Sequence, residues 1–216
     1  MLNDVKFNND KSAFIDWNIV LTSVDIPLPE PKRTLVEVQG ADGLIDLTTV
    51  LTGDVTYNNR DITLNFEMMD TSNYYDLMSE ISNYLHGKVV TFTLSKDKNF
   101  YYKGTASINS WECNRQQGLI VIHIDADPYK YEILETIINI TLSGKQAYFN
   151  LPNLRKRVCP TLTATGDVYI YGDEILPHKL KQGEQQILSL MLNEGDNIWL
   201  FEGDGKVKIT YRRCSL

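Results

Sequence analysis

The segment Asp61–Met68 limits the possible folds of this chain more than any other feature of its sequence. Because successive side chains of a β-strand point to opposite faces, an unbroken alternation of apolar and polar residues predicts a strand with one buried face. The apolar positions are Ile62, Leu64, Phe66 and Met68, and the polar positions are Asp61, Thr63, Asn65 and Glu67. A strand of this kind needs paired neighbours and a covering layer, so the chain is expected to build a sheet.

Two shorter segments precede this strand and end at glycine-containing turns. Thr34–Val38 leads into Gly40-Ala-Asp-Gly43, and Ile45–Leu51 leads into Gly53-Asp54. Glycine reaches positive φ without a steric cost, so both turns are suited to chain reversals. The sequence therefore predicts a β-hairpin whose second strand, Ile45–Leu51, alternates and is half buried.

A helix is predicted over Ser72–His86, the only segment with a clear helical period. Its apolar residues fall at spacings of three and four and form one stripe, made of Tyr74, Leu77, Met78, Ile81 and Leu85. Ser72 or Asn73 is placed to cap the start, and Gly87 follows as a natural stop. One amphipathic helix among many strands is expected to cover a sheet.

The rest of the chain also indicates β structure in two domains. Leu119–Ile124 is a continuous apolar run, which predicts a strand buried on both faces. After residue 133, short strands alternate with glycine turns at intervals of roughly ten residues, which is typical of a β-sandwich. We place the domain boundary between residues 132 and 133. Pro27–Pro31, with three prolines in five residues, predicts an extended loop.

Composition excludes several classes of function. The net charge of −7 and the pI near 5.0 argue against a general nucleic-acid-binding protein. No apolar run approaches the roughly 18 residues that indicate a membrane-spanning helix. The three cysteines match neither a zinc spacing nor a disulfide framework, so reduced thiols are expected.

Catalytic chemistry has little support in the sequence. The three histidines are far apart, and none has a metal-ligand partner at a suitable spacing. Asp125 and Asp127 share one strand face, but no further oxygen donors follow them at loop spacing. We therefore predict no catalytic residues, no cofactor and no metal site, and we do not expect an enzyme.

Several segments together resemble one known family. They are Gly40-Ala-Asp-Gly43-Leu-Ile-Asp46-Leu47, Leu51-Thr-Gly53, Tyr57-Asn-Asn59-Arg60-Asp-Ile62, Tyr84-Leu-His86-Gly87-Lys88 and the tail from Gly195 to Arg213. In order and spacing they are similar to distal tail proteins, the hub proteins at the tail tip of long, non-contractile-tailed phages of Gram-positive bacteria. The matches span most of the chain, from Leu35 to Arg213.

The resemblance implies a fold and a function. The fold would be mainly β, with an N-terminal β-sandwich that carries one helix and a β-hairpin extension (residues 1–132, ring-forming) and a C-terminal galectin-like β-sandwich (residues 133–216). The function would be that of a structural virion protein, a hexameric ring at the phage tail tip, assembled in the host cytoplasm. Its partners would be further copies of itself, the tail tube protein, the tail-tip or tail-associated lysin protein and a receptor-binding protein.

The predicted ring contacts lie in the hairpin region and the proline loop. The candidate residues are Gly40, Asp42, Gly43, Asp46, Gly53, Asn59 and Arg60. The basic residues at 155–157 and 212–213 are interpreted as a rim of interface salt bridges rather than phosphate contacts.

Two alternatives stay open at the level of sequence. One is a carbohydrate-binding host-adsorption module in which Trp199 stacks against a sugar, although a short strand with Ile198 and Leu200 also suits Trp199 as a packing residue. The other is a tail tube or tail completion protein, which shares the sandwich architecture and the logic of assembly.

Overall fold

The computed structural model describes residues 4–40, 42–50, 53–113, 117–172 and 177–216. Contacts within the chain divide it into two compact units: unit 1 extends to Lys130, and unit 2 extends from Tyr131 to Ser215. The roles assigned above to residues 1–132 and 133–216, as a ring-forming and a galectin-like domain, remain predictions.

Unit 1 is built on an antiparallel sheet with one helix. Its elements are β1 (Val5–Phe7), β2 (Lys11–Ser12), β3 (Ile19–Asp25), β4 (Leu35–Glu37), β5 (Leu44–Asp46), β6 (Arg60–Met68), α1 (Tyr74–Leu85), β7 (Lys88–Leu94), β8 (Phe100–Cys113) and β9 (Gly118–Ala126). Seven strands pair in the order β2-β1-β7-β8-β9-β6-β3, and β4 and β5 form a separate hairpin.

The strand predicted from the alternating run is confirmed as β6, which lies between β9 and β3. Ile62, Leu64, Phe66 and Met68 are buried, with Met68 the most exposed of them at 5%. They join one hydrophobic cluster with residues of β1, β3, β7, β9 and α1. The period-two pattern therefore marks the inner face of the sheet.

The predicted helix is also confirmed, as α1. Ile81 and Leu85 are buried in the unit 1 core, Leu77 packs against it, and Gly87 takes a φ of 73° after the last turn. The cap differs from the prediction. Asn73 holds the N-cap position but makes no side-chain capping bond.

Two predicted burial patterns are wrong. Leu119–Ile124 was expected to be buried on both faces, but β9 alternates, and Leu119 is 40% exposed. Ile45–Leu51 was expected to form a half-buried strand, but β5 ends at Asp46 and none of its residues is buried. In the described residues, β5 pairs only with β4, and all three of its residues are exposed.

Unit 2 is a second β structure. Its elements are β10 (Lys130–Glu132), β11 (Thr136–Ser143), β12 (Ala147–Asn150), β13 (Thr161–Tyr171), β14 (His178–Lys179), β15 (Gly183–Gln186), β16 (Ile198–Tyr211) and β17 (Cys214–Ser215). Strands pair in the order β11-β16-β13-β14, with β12 on the first half of β16 and β15 on β13. The mainly β fold predicted for the chain is confirmed.

Within the described part of the chain, no helix is both long enough and apolar enough to span a bilayer.

Candidate assembly interface

A projecting segment of unit 1, residues 31–57, is the candidate interface, and we call it the arm. The backbone closes its base: Pro31 bridges to Tyr57, and the Lys32 amide donates to the Thr56 carbonyl at 2.8 Å. The Asn58 amide donates to the Glu30 carbonyl at 2.9 Å just below. The proline loop therefore leads into a defined stem.

The outer part of the arm is the β4–β5 hairpin. Val36 pairs with Ile45, and Glu37 pairs with Leu44. Gly40 and Gly43 take φ values of 84° and 77° at the tip, and both have open space where a side chain would project. The predicted hairpin is thus present, with Ala41 outside the described residues.

A hydrogen-bonded corner follows β5. The Asp46 carboxylate accepts from the Thr48 amide at 2.9 Å, and the Thr48 hydroxyl accepts from the Thr34 amide at 3.1 Å. The hydrogen bonds from the Thr48 side chain and amide lower the pKa of Asp46 below its ordinary value, and the nearby charge of Arg33 adds to this. These bonds brace the hairpin, but they do not connect it to the core.

The two faces of the hairpin differ in chemistry. Alternation puts Val36, Val38, Ile45 and Leu47 on one side, which we call the apolar arm face. These side chains are between 36% and 50% exposed. The opposite face carries Leu35, Glu37, Leu44 and Asp46. A two-stranded hairpin is marginally stable in water by itself, and exposing an apolar face makes it a candidate for contact with another chain.

The predicted ring residues separate into two groups. Gly40, Asp42, Gly43 and Asp46 all lie on the arm, and Gly53, with a φ of 69°, lies on its returning side. Their role in a ring contact remains a prediction. The interpretation of Leu51 and Thr52 in that region falls outside the described residues.

Asn59 and Arg60 lie just past the stem, and they differ sharply. Asn59 is exposed, whereas Arg60 is only 4% exposed. The Arg60 guanidinium lies 5.2 Å from the centre of the Tyr102 ring, and its Nε and Nη2 atoms have no hydrogen-bond partner. Burial lowers the pKa of Arg60. Arg60 therefore offers almost no surface to a neighbouring copy, because it occupies a buried position of β6. Its selection as a ring contact stays a prediction.

Tyr102 continues this buried polar cluster at the end of the sheet. Its hydroxyl donates to Asp97 at 3.2 Å, and Lys130 donates to the same carboxylate oxygen at 2.8 Å. Burial, followed by the charge of Asp97, raises the pKa of Tyr102 to about 12. The cluster attaches the start of β6, where the arm ends, to β8.

Trp199 lies in the core of unit 2. It is 1% exposed, so neither ring face is open to a sugar, and a Cβ atom at Gly172 would lie 3.7 Å from its Nε1. The packing interpretation fits this position, and the proposed sugar platform at Trp199 does not.

Three arginines of unit 2 form ion pairs within that unit. Arg213 forms a two-pronged contact with Glu132, with both distances 2.8 Å, and Arg212 reaches Glu135 at 3.0 Å. Arg155 pairs with Glu194 at 2.8 Å. The interpretation of these arginines as a rim of intersubunit salt bridges is therefore not supported, because their carboxylate partners come from the same chain.

No grouping suited to metal binding is seen in the described residues. Three or more His, Cys, Asp or Glu side chains that share a metal-binding geometry do not occur there. His86 accepts from the Ile108 amide at 3.0 Å, and His123 contacts Thr63 at 3.3 Å, so each histidine has a separate structural setting.

Sequence reasoning missed the apolar arm face. The glycines and charged residues of the hairpin were selected, but its exposed aliphatic side chains were not. The signal was present, because Val36 and Val38, and likewise Ile45 and Leu47, are apolar residues two positions apart. Pairing the two strands in register would have put them on one side.

Comparison with known proteins gives a match in structure but none in sequence. No protein-family model matches the chain, and no curated protein matches it. Among solved structures, the fold is similar to that of the Dit (gp 19.1) protein of phage SPP1, with a TM-score of 0.64 and 13% sequence identity over 98% of this chain and 99% of that one. That protein is described as a paradigm of the hub adsorption apparatus in phages that infect Gram-positive bacteria. The resemblance to distal tail proteins is therefore confirmed for the fold.

Proposed function

We propose that this chain is the structural subunit of a distal tail hub, a closed ring of six copies that connects a phage tail tube to the tail-tip adsorption apparatus. The observation that carries the proposal is the fold, which is similar to the SPP1 Dit protein over nearly the full length of both chains. Such coverage includes both units and the arm, so the likeness is not limited to a common sandwich core.

The arm supplies the physical reason for assembly. Fully burying an aliphatic side chain stabilises by about 1.5–3 kcal/mol, so covering the exposed half of the four residues on the apolar arm face is worth about 3–5 kcal/mol per contact. In the proposed ring, the arm of each copy contacts a different surface on the next copy. A head-to-tail contact of this kind closes into a ring when the rotation per subunit divides a full turn.

The proposal includes the partners and location of the ring. The tail tube protein binds one side, and the tail-tip or tail-associated lysin protein binds the other, with a receptor-binding protein as a further partner. The ring assembles in the host cytoplasm and works in the virion at the tail tip. Its role is architectural, and no reaction is assigned to it.

Native mass spectrometry of the full chain tests the ring. Six copies of the 24.7-kDa chain give a species of about 148 kDa. Ile45→Asp puts a charge on the apolar arm face and is expected to leave only monomer, because a carboxylate is costly to bury. Leu188→Asp, at a position that is 83% exposed in unit 2, is the matched control and should keep the ring.

Two results would contradict the proposal. One is a wild-type chain that stays monomeric at 100 µM, and the other is an Ile45→Asp variant that assembles normally. Negative-stain images separate the hub from a tail tube protein, since the hub gives single rings with a central channel and a tube protein gives stacked polymers.

A further inference from the structure

The outer face of the unit 2 sheet carries an aromatic row that the proposed hub function does not use. Tyr148 of β12 pairs with Leu200 of β16, and Leu200 pairs with Tyr171 of β13. Their neighbours along β16, Trp199 and Phe201, point into the core. Tyr148, Leu200 and Tyr171 therefore share the opposite face, and Tyr148 is 72% exposed.

A polar row runs beside the aromatic one, two residues further along the strands. Glu202 of β16 pairs with Tyr169 of β13, which in turn pairs with Lys179 of β14. The Glu202 carboxylate oxygen Oε2 accepts from Gln146 at 3.0 Å and from the Tyr171 hydroxyl at 3.1 Å. The bond to Glu202 raises the pKa of Tyr171, so this phenol stays neutral and keeps donating.

These hydrogen bonds leave one carboxylate oxygen of Glu202 able to accept from a ligand. Both contacts of Glu202 fall on Oε2, and Oε1 has no hydrogen-bond partner among the described residues. Ile198, 63% exposed, extends the apolar part of the face next to Asn150, whose amide donates to Asp196 at 2.8 Å. The face thus combines open ring and aliphatic surface with a held carboxylate.

We propose that this face of unit 2, centred on Tyr148, Tyr171 and Glu202, is a binding site for a neutral carbohydrate. A sugar presents an apolar C–H face and a rim of hydroxyls. The negative face of an aromatic ring attracts the weakly positive C–H groups, and a carboxylate accepts from the hydroxyls. In composition, the face matches the lining of small-molecule sites, which is apolar and aromatic with a few placed polar groups.

The arrangement selects against other ligand classes. An anionic ligand would meet the Glu202 carboxylate, while Lys179, the nearby cation, is already paired with Asp167 at 3.0 Å. The Glu202 carboxylate lies within the face, whereas charged residues are depleted at the core of protein interfaces, so the face matches a protein partner less well than the apolar arm face does. Tyr148 and Tyr171 lie two strand spacings apart, roughly 10 Å, which suits one or two sugar rings.

Saturation-transfer difference NMR with the full-length protein tests the site. The probes are lactose and the N-acetylglucosamine trimer, each at 5 mM. We expect transfer to the ring protons of at least one probe. Tyr148→Ala and Glu202→Gln should each reduce that signal at least fivefold, because one removes the open ring surface and the other the charged acceptor.

The matched control is Tyr75→Ala, which removes a 76% exposed tyrosine from α1 of unit 1 and should leave the signal unchanged. Circular dichroism verifies the fold of every variant. No transfer to either sugar, or equal transfer in wild type and Tyr148→Ala, would overturn the site. So would a Tyr148→Ala variant that changes only the oligomeric state, since the face would then belong to a protein contact.

The sugar experiment is independent of ring formation. Repeating it on the Ile45→Asp monomer separates the two proposals, because unit 2 should bind sugar with or without the ring.

Discussion

Strand β6 and the segment Ile45–Leu51, in which β5 begins to pair, both alternate in sequence, but the burial of their side chains differs. On β6, each apolar side chain is buried, while on β5 both Leu44 and Ile45 are at least half exposed. The difference lies in their neighbours: β6 is paired on both edges and covered by core residues, and β5 pairs only with β4. Alternation therefore identifies which side chains share a face, but another element must cover that face. On the arm, we propose that a second copy provides the cover.

Truncating one residue on each strand should give the largest contrast. Phe66→Ala opens a cavity in the unit 1 core and should lower the free energy of unfolding by about 3–5 kcal/mol. Ile45→Ala should change it by no more than about 1 kcal/mol in the monomer, since half of its side chain is exposed and it lies outside the unit 1 core. Urea denaturation at low protein concentration measures both. Equal losses would mean that the arm is part of the core in solution.

The next largest effect on the free energy of unfolding should come from the ionisation of Tyr102, which lies in the unit 1 core. The pKa of Tyr102 is raised to about 12, above its ordinary value of 10. The folded state therefore holds its proton more tightly than the unfolded chain. The resulting stability is fully present below pH 10 and is lost as the pH rises from 10 to 12, by about 2–3 kcal/mol.

Tyr102→Phe is the control for that titration. It should remove most of the loss between pH 10 and 12, followed as the change in urea midpoint with pH. A variant whose midpoint falls as steeply as that of the wild type would show that another group is responsible.

The smallest effect is expected on the arm. The bonds from Thr48 hold the pKa of Asp46 below its ordinary value, so the bracing is present above about pH 4 and is lost as the pH falls through the folded pKa. Because Asp46 is exposed, the change should appear in ring assembly rather than in global unfolding. Native mass spectrometry of Asp46→Asn at pH 7 should show a modest shift toward monomer. If the fraction of ring is unchanged, the hydrogen bonds between Asp46 and Thr48 play no part in assembly.

The sequence allowed the local structure to be predicted well. The spacing of Ile81 and Leu85 identified α1, the run from Ile62 to Met68 identified β6, and Gly40 and Gly43 identified the hairpin tip. Each of these three predictions uses either the repeat of side-chain direction along the backbone or the φ values that a residue can adopt. Both are set by residues close together in sequence. The candidate site was predicted less well, since the arm was found but its apolar face was not.

Burial was decided by contacts between distant parts of the chain. Arg60 was selected as a ring contact and Trp199 was considered as a sugar platform, yet both side chains are buried, Trp199 among residues of distant strands. The row of Tyr148, Leu200 and Tyr171 exists only because three strands pair in one register. Local periodicity sets the direction in which a side chain points, but long-range pairing sets what it meets, and a single sequence carries little information on the second.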